Sequence, residues 1–273
     1  MDEICKTKYP IVLVHGVGFR DLKWPVYWGR ITKILEAHGA NIYYGLQDCW
    51  ASTDTNAKVL AKRVDEILAE SGSEKVNLIG HSKGGLEARM VASSLGMAEK
   101  VASITTIATP HYGSKTVSKL LKAPKWIYEA ASFVVDHWIK IIGDREPAFM
   151  TVCQEFSEDH MKRFNDENPD VAGVFYQSYA CVMNHPFSDI TLSTANFIVK
   201  IIEGENDGLV TVRSASWGKD ITVLRSATRR GISHVDAIDV RRIPFSHKRE
   251  EGKVSDIAEV YVAITQKIKR LGY

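Results

Sequence analysis

Residues 75–90 constrain this chain more than any other stretch. A short apolar run, Val76 to Ile79, enters Gly80-His81-Ser82-Lys83-Gly84, and a helical pattern follows from Leu86. A G-x-S-x-G sequence between a strand and a helix predicts a very tight turn, with the serine in a strained backbone conformation and its hydroxyl above a sheet. Side chains at positions 80 and 84 would collide with neighbouring backbone, which gives both glycines a steric cause. Ser82 is therefore the candidate nucleophile. The plain alternative is a glycine-rich turn holding an ordinary serine.

Such a turn needs a sheet beneath it, and the pattern along the chain supplies one. Ile11–Val14 is an apolar run of the kind found in strands buried on both faces. Helical spacing over 24–38, with Trp28, Ile31, Ile34 and Leu35 on one face, leads to a strand over 41–46. A helix over 55–71, the strand into Ser82, a helix over 86–95 and a strand over 101–108 follow. Further strands are expected near 174–180, 199–203 and 221–224, and a closing helix over 254–271. Strand–helix alternation of this kind predicts an α/β fold, a mostly parallel sheet flanked by helices. The rhythm breaks over 111–170, which reads as a helical cap inserted in a single domain spanning 1–273.

The 273 residues suffice to bury a large core. A net charge of +2 and no basic stripe with interleaved aromatics exclude a nucleic-acid partner. The polar start, Met1 to Pro10, has no apolar signal core, so the expectation is a cytoplasmic protein or one secreted without an N-terminal signal. No uncharged apolar segment is long enough to span a bilayer. Cys5, Cys49, Cys153 and Cys181 are widely spaced with no Cys-x-x-Cys, a pattern of free thiols.

A serine hydroxyl attacks only when a base removes its proton, and the base needs an orienting carboxylate. After a nucleophile of this type the acid comes next and the histidine last. His234, in Gly231-Ile-Ser-His-Val-Asp-Ala237, follows a strand and a loop and fits the base; His247 is its competitor. Asp207, in Glu203-Gly-Glu-Asn-Asp-Gly208, fits the acid, with Glu203 and Glu205 as local competitors. Acyl transfer also needs donors for a developing oxyanion. The backbone N–H of Lys83 follows the nucleophile, and the N–H of Val17 lies in the loop after the first strand. His15 reads as a structural residue holding that loop.

Tyr9-Pro-Ile-Val-Leu-Val-His-Gly16, Gly80-His-Ser-Lys-Gly-Gly85, Ala108-Thr-Pro-His-Tyr-Gly-Ser114, Asn206-Asp-Gly-Leu-Val210 and Ser233-His-Val-Asp236 occur in this order. Together they resemble the bacterial true lipases of the α/β-hydrolase fold, the group of the Pseudomonas, Burkholderia and Proteus enzymes. The resemblance implies a triad of Ser82, Asp207 and His234 and hydrolysis of acyl esters, such as acylglycerols, through an acyl-enzyme. It also implies a lipid or ester substrate, met in some members at an oil–water interface, and no cofactor for catalysis. An acyltransferase or thioesterase with the same triad is the alternative. A non-catalytic binding protein on this fold would carry a damaged triad. Lys83 departs from the glutamine common after the serine in this group, and only its backbone N–H is required. The resemblance further implies a structural calcium ion, with Asp236 and Asp189 as ligands; a bare helix cap is the other reading of Asp236. Within the cap, Trp126, Phe133, Val134 and Trp138 belong to an apolar stretch over 126–142. It reads either as packing or as a substrate-covering lid.

Overall fold

The computed structural model describes residues 3–18, 27–122 and 148–273. Trp126, Phe133, Val134 and Trp138 lie outside the described residues. Among the described residues, six strands form one sheet: β1 (Ile11–Val14), β2 (Ile42–Tyr44), β3 (Val76–His81), β4 (Val101–Ile107), β5 (Phe175–Cys181) and β6 (Ile221–Leu224). Their order is β2-β1-β3-β4-β5-β6 and every pairing is parallel. The expected α/β sheet is thus present.

Every residue of β1, β3 and β4 is buried, which is why these strands read as unbroken or nearly unbroken apolar runs. The two-residue period splits their side chains between two cores. On one face Ile11, Leu13 and Ile79 meet Ile31 and Leu35 of α1 (Ile31–Ala37) and Tyr261, Ile264 and Ile268 of α9 (Ile257–Arg270). On the other, Val12, Val14 and Leu78 meet Leu60, Val64 and Ile67 of α2 (Thr53–Ser71) and Ala88 and Val91 of α3 (Lys83–Ala92). Burying a side chain of this size is worth about 1.5–3 kcal/mol, so the two layers dominate stability.

The chain leaves β1 for the β2 edge, then returns to β3 on β1's other side. A reversal of this type opens a crevice at the carboxyl ends of the strands on either side of it. The loop after β1 and the turn at Ser82 meet there. Within the expected cap, the described residues are helical where they are regular: α4 (Lys115–Leu120), α5 (Phe149–Glu155) and α6 (Glu158–Glu167). Glu155 holds α5 to the start of α2 by accepting from Thr53 N at 3.0 Å and Thr53 Oγ1 at 2.7 Å. Arg89 of α3 donates to Asn165 Oδ1 at 2.9 Å and Asn168 O at 2.6 Å, anchoring α6.

The helix expected over 24–38 begins only at Ile31, after a turn over 27–30. A second expectation is also overturned. Residues 199–203 are not a strand but the last turns of α7 (Ser193–Glu203). Asn196 and Val199 face inward there, while Phe197 and Ile201 stand exposed, so the apolar run is one flank of an amphipathic helix. A short helix, α8 (Val212–Ala215), follows the Asp207 turn.

Candidate active site

Ser82 closes β3 and precedes the first residue of α3 with φ 54 and ψ −127, a conformation rarely held by a non-glycine residue. Space decides why the turn is so tight. A Cβ on Gly84 would lie 2.3 Å from Val14 O and 2.5 Å from His15 O, and one on Gly16 would lie 2.7 Å from Ser82 Cβ. Glycine at both positions lets the loop after β1 press directly on the nucleophile turn. Lys83 is the first residue of α3, where a backbone N–H has no partner within the helix. Val17, the other candidate oxyanion donor, follows Gly16 in the loop pressed against the Ser82 turn.

His15 holds its loop as expected, with Nε2 2.9 Å from Gln47 O and Nδ1 2.8 Å from Gly16 O. A second chain of bonds was not legible in the sequence. Gly16 N donates to Tyr27 Oη at 2.8 Å, and Tyr27 Oη lies 2.7 Å from His81 Nδ1. His81 Nε2 lies 3.1 Å from His234 O. Because a carbonyl only accepts, His81 carries its proton on Nε2 and receives the tyrosine proton on Nδ1. Burial pushes the His81 pKa well below the usual histidine value, in keeping with this neutral form. No periodicity or spacing marks Tyr27, since its partner lies far along the chain.

His234 packs its ring on His81, the residue before Ser82, with ring centroids 4.6 Å apart. Its Nδ1 lies 2.8 Å from Asp207 Oδ2, and its backbone N donates to Asp207 O at 2.7 Å. The other oxygen of Asp207 accepts from Leu209 N at 3.0 Å and Val210 N at 2.8 Å. Ser82, Asp207 and His234 are all buried. The competitors are engaged elsewhere. Glu203 accepts from Ser114 Oγ and Thr116 N at 2.7 Å each, Glu205 pairs with Arg225 at 2.8 Å, and His247 is exposed.

The loop after His234 is clamped by charge. Arg30, at the start of α1, donates to both oxygens of buried Asp239 at 2.7 and 2.8 Å and also reaches Asp256 at the N-cap of α9. Asp189 and Asp236 converge on Ser233: Ser233 Oγ donates to Asp189 Oδ2 at 2.8 Å, and Ser233 N to Asp236 Oδ2 at 3.1 Å. Arg241 donates to that same Asp236 oxygen at 2.6 Å. Asp236 Oδ1 is buried and has no hydrogen-bond partner. Burial raises the Asp236 pKa, and the nearby Asp189 charge adds to the rise. An orphaned carboxylate oxygen beside a second carboxylate fits a hard cation. Among the described residues, no three His, Cys, Asp or Glu side chains gather as a fuller metal cluster.

A family model described as palmitoyl protein thioesterase matches residues 10–222. The chain is similar to a triacylglycerol lipase of Pseudarthrobacter phenanthrenivorans, 42% identical over 119 residues, covering 42% of this chain and 37% of that one. For a triacylglycerol lipase of Burkholderia plantarii the figures are 42% identity over 119 residues, covering 42% of this chain and 33% of that one. The matched part therefore spans about a third of the length of these relatives. Triacylglycerol lipase 2 of Saccharomyces cerevisiae is 26% identical over 261 residues, 90% of this chain and 74% of its own. Among solved structures, the Staphylococcus hyicus lipase superposes with a TM-score of 0.67 at 18% identity, covering 97% of each chain. That likeness establishes the α/β-hydrolase fold.

Proposed function

We propose that this chain, which belongs to the palmitoyl protein thioesterase family and shares the α/β-hydrolase fold of the bacterial lipases, is a serine ester hydrolase. It cleaves acyl esters, acylglycerols among them, through an acyl-enzyme on Ser82. The observation that carries this reading is the buried 2.8 Å contact of His234 Nδ1 with Asp207, on a loop packed against the strained serine turn.

Asp207 accepts the Nδ1–H and so leaves Nε2 of His234 free to act as base. As Ser82 Oγ attacks the acyl carbon, its proton passes to Nε2 and the carbonyl oxygen gains charge. The backbone N–H groups of Val17 and Lys83 receive that oxyanion. The imidazolium then protonates the leaving oxygen, and a water molecule repeats the sequence to release the acid. The exposed apolar residues Phe187, Ile190, Phe197 and Ile201 lie on the segment leading into the Asp207 turn, which supports an apolar acyl substrate or a lipid surface. The name of the matched family favours a second reading, hydrolysis of a long-chain acyl thioester by the same groups.

Asp189 and Asp236 would hold a calcium ion beside the His234 loop, with Asp236 Oδ1 as its orphaned ligand. When bound, the ion supplies positive charge that ties the loop in place; the chemical steps stay with the side chains above.

A substrate panel tests the assignment: p-nitrophenyl esters of rising acyl length, emulsified triglyceride and a palmitoyl thioester, each with and without chelator. The expected result is turnover of medium and long acyl esters and of the emulsion, with a melting temperature lowered by the chelator. Activity confined to short soluble esters replaces lipase with esterase, and a thioester preference selects the second reading. An unchanged melting temperature removes the calcium ion.

A further inference from the structure

The helical turn that follows Ser82 carries a buried ion pair for which the chemistry above has no use. Lys83 Nζ lies 2.5 Å from Glu87 Oε1, and each side chain is 1% exposed. Taking both charges out of water is costly and is repaid only where further hydrogen bonds satisfy them. Glu87 has two such bonds. Asn56 Nδ2 of α2 donates to Oε1 at 2.9 Å, and Gln47 Nε2 donates to Oε2 at 2.9 Å.

Gln47 is an odd core residue. It is fully buried, its Oε1 has no partner, and it follows Leu46, a non-glycine residue held at φ 58. An unpaired buried acceptor and a left-handed non-glycine backbone are both unfavourable. A leucine or methionine would fill the same volume without the orphaned oxygen, so packing does not explain the amide. What the amide adds is reach. Gln47 Nε2 also donates to His15 O at 3.2 Å, and Gln47 O faces His15 Nε2 at 2.9 Å. The side chain therefore joins the first turn of α3 to the loop that begins at His15 and bears Val17.

We propose that Lys83, Glu87 and Gln47 are positioning residues whose buried bonds hold the Val17 and Lys83 backbone donors at the separation an oxyanion needs. This rests on the serine hydrolase reading. Gly84 against Val14 O and His15 O forms the stop that keeps the two loops from closing further. The Lys83–Glu87–Gln47–His15 chain is the tie that keeps them from parting. With Gln47 removed, the loop after β1 keeps its fold through Tyr27 but loses its bond to the helix that presents Lys83.

The variant Gln47→Met tests this, because it matches the volume, drops the orphaned oxygen and leaves Lys83, Glu87 and Asn56 bonded. Rates are referred to active sites titrated with a fluorophosphonate, so loss of folded protein does not count. The expected kcat on a soluble ester falls about tenfold or more, as a small misplacement of donors produces, while KM stays within about twofold. Affinity for an alkyl boronic acid, whose tetrahedral adduct uses the same donors, should fall in parallel. With Lys83 still charged, the Glu87→Gln amide turns its oxygen to Lys83 and its NH2 to the Gln47 donor, which breaks the same tie, so adding it to Gln47→Met should cost little more kcat than either alone. Should Glu87→Gln fail to fold, Lys83→Gln/Glu87→Gln keeps hydrogen bonds without charge and is expected to restore most of the rate. A Gln47→Met protein with wild-type kcat and boronate affinity overturns the proposal, as does a loss that tracks the melting temperature alone. A wild-type protein that takes no label and turns over no ester instead fails the hydrolase reading itself, and the positioning role with it.

Discussion

At the scale of single residues, sequence spacing does not single out the acid. Three carboxylates lie within five positions, and only the contacts separate them: Glu203 caps α4, Glu205 faces Arg225, and Asp207 meets the imidazole. The substitution Asp207→Asn isolates that role. Its carbonyl oxygen can keep the bonds from Leu209 N and Val210 N, which leaves the amide N–H to face His234 Nδ1. Nδ1 must then accept, so the proton moves to Nε2 and the base is lost. The expected kcat is lower by about 10³–10⁴-fold with stability nearly unchanged. A rate within about threefold of wild type would place the acid elsewhere.

At the scale of elements, the strands buried on both faces and the nucleophile turn were legible because sterics allow few alternatives. Gly84 against Val14 O leaves no room for another residue, and a run such as Ile11–Val14 is apolar because both of its faces are covered. Helix α7 departs from the strand its sequence suggests for the opposite reason. Val199, Ile201 and Ile202 suggest a strand, yet a short apolar run cannot by itself be told from one flank of a helix. The difference does not reach the site, because Gly204 at φ 102 ends the element and the same turn to Asp207 follows. Helix α3 starts at Lys83, before the Leu86 its pattern suggests, because Gly84 and Gly85 carry a turn signal yet lie within the helix. The ion pair at positions 83 and 87 has a spacing common on exposed helix faces. Its burial comes from α2 and the loop after β2 packing over it, which no local pattern reveals.

At the scale of the whole molecule, the fold holds its buried polar groups neutral or paired, and acid should expose this. His81 and His111 are both fully buried, and burial pushes both pKa values well below the usual one. His111 accepts from Arg89 on Nδ1 and so donates to Thr106 from Nε2, the neutral form again. The unfolded chain takes up these two protons near pH 6.5, while the native state does so only at much lower pH. Stability is therefore full above about pH 6.5 and falls as pH drops below it, by up to about 1.4 kcal/mol per pH unit for each proton. Urea unfolding at a series of pH values from about 7.5 to 5 reads this slope; a slope of one proton would mean that one imidazole titrates normally when folded, and a flat profile that both do. The central claim, that this scaffold arms one serine, is tested most directly by stoichiometric labelling with a fluorophosphonate. The account predicts one label per chain, absent in Ser82→Ala and strongly slowed in His234→Ala. A wild-type chain that stays unlabelled, or a Ser82→Ala chain labelled equally well, would contradict it.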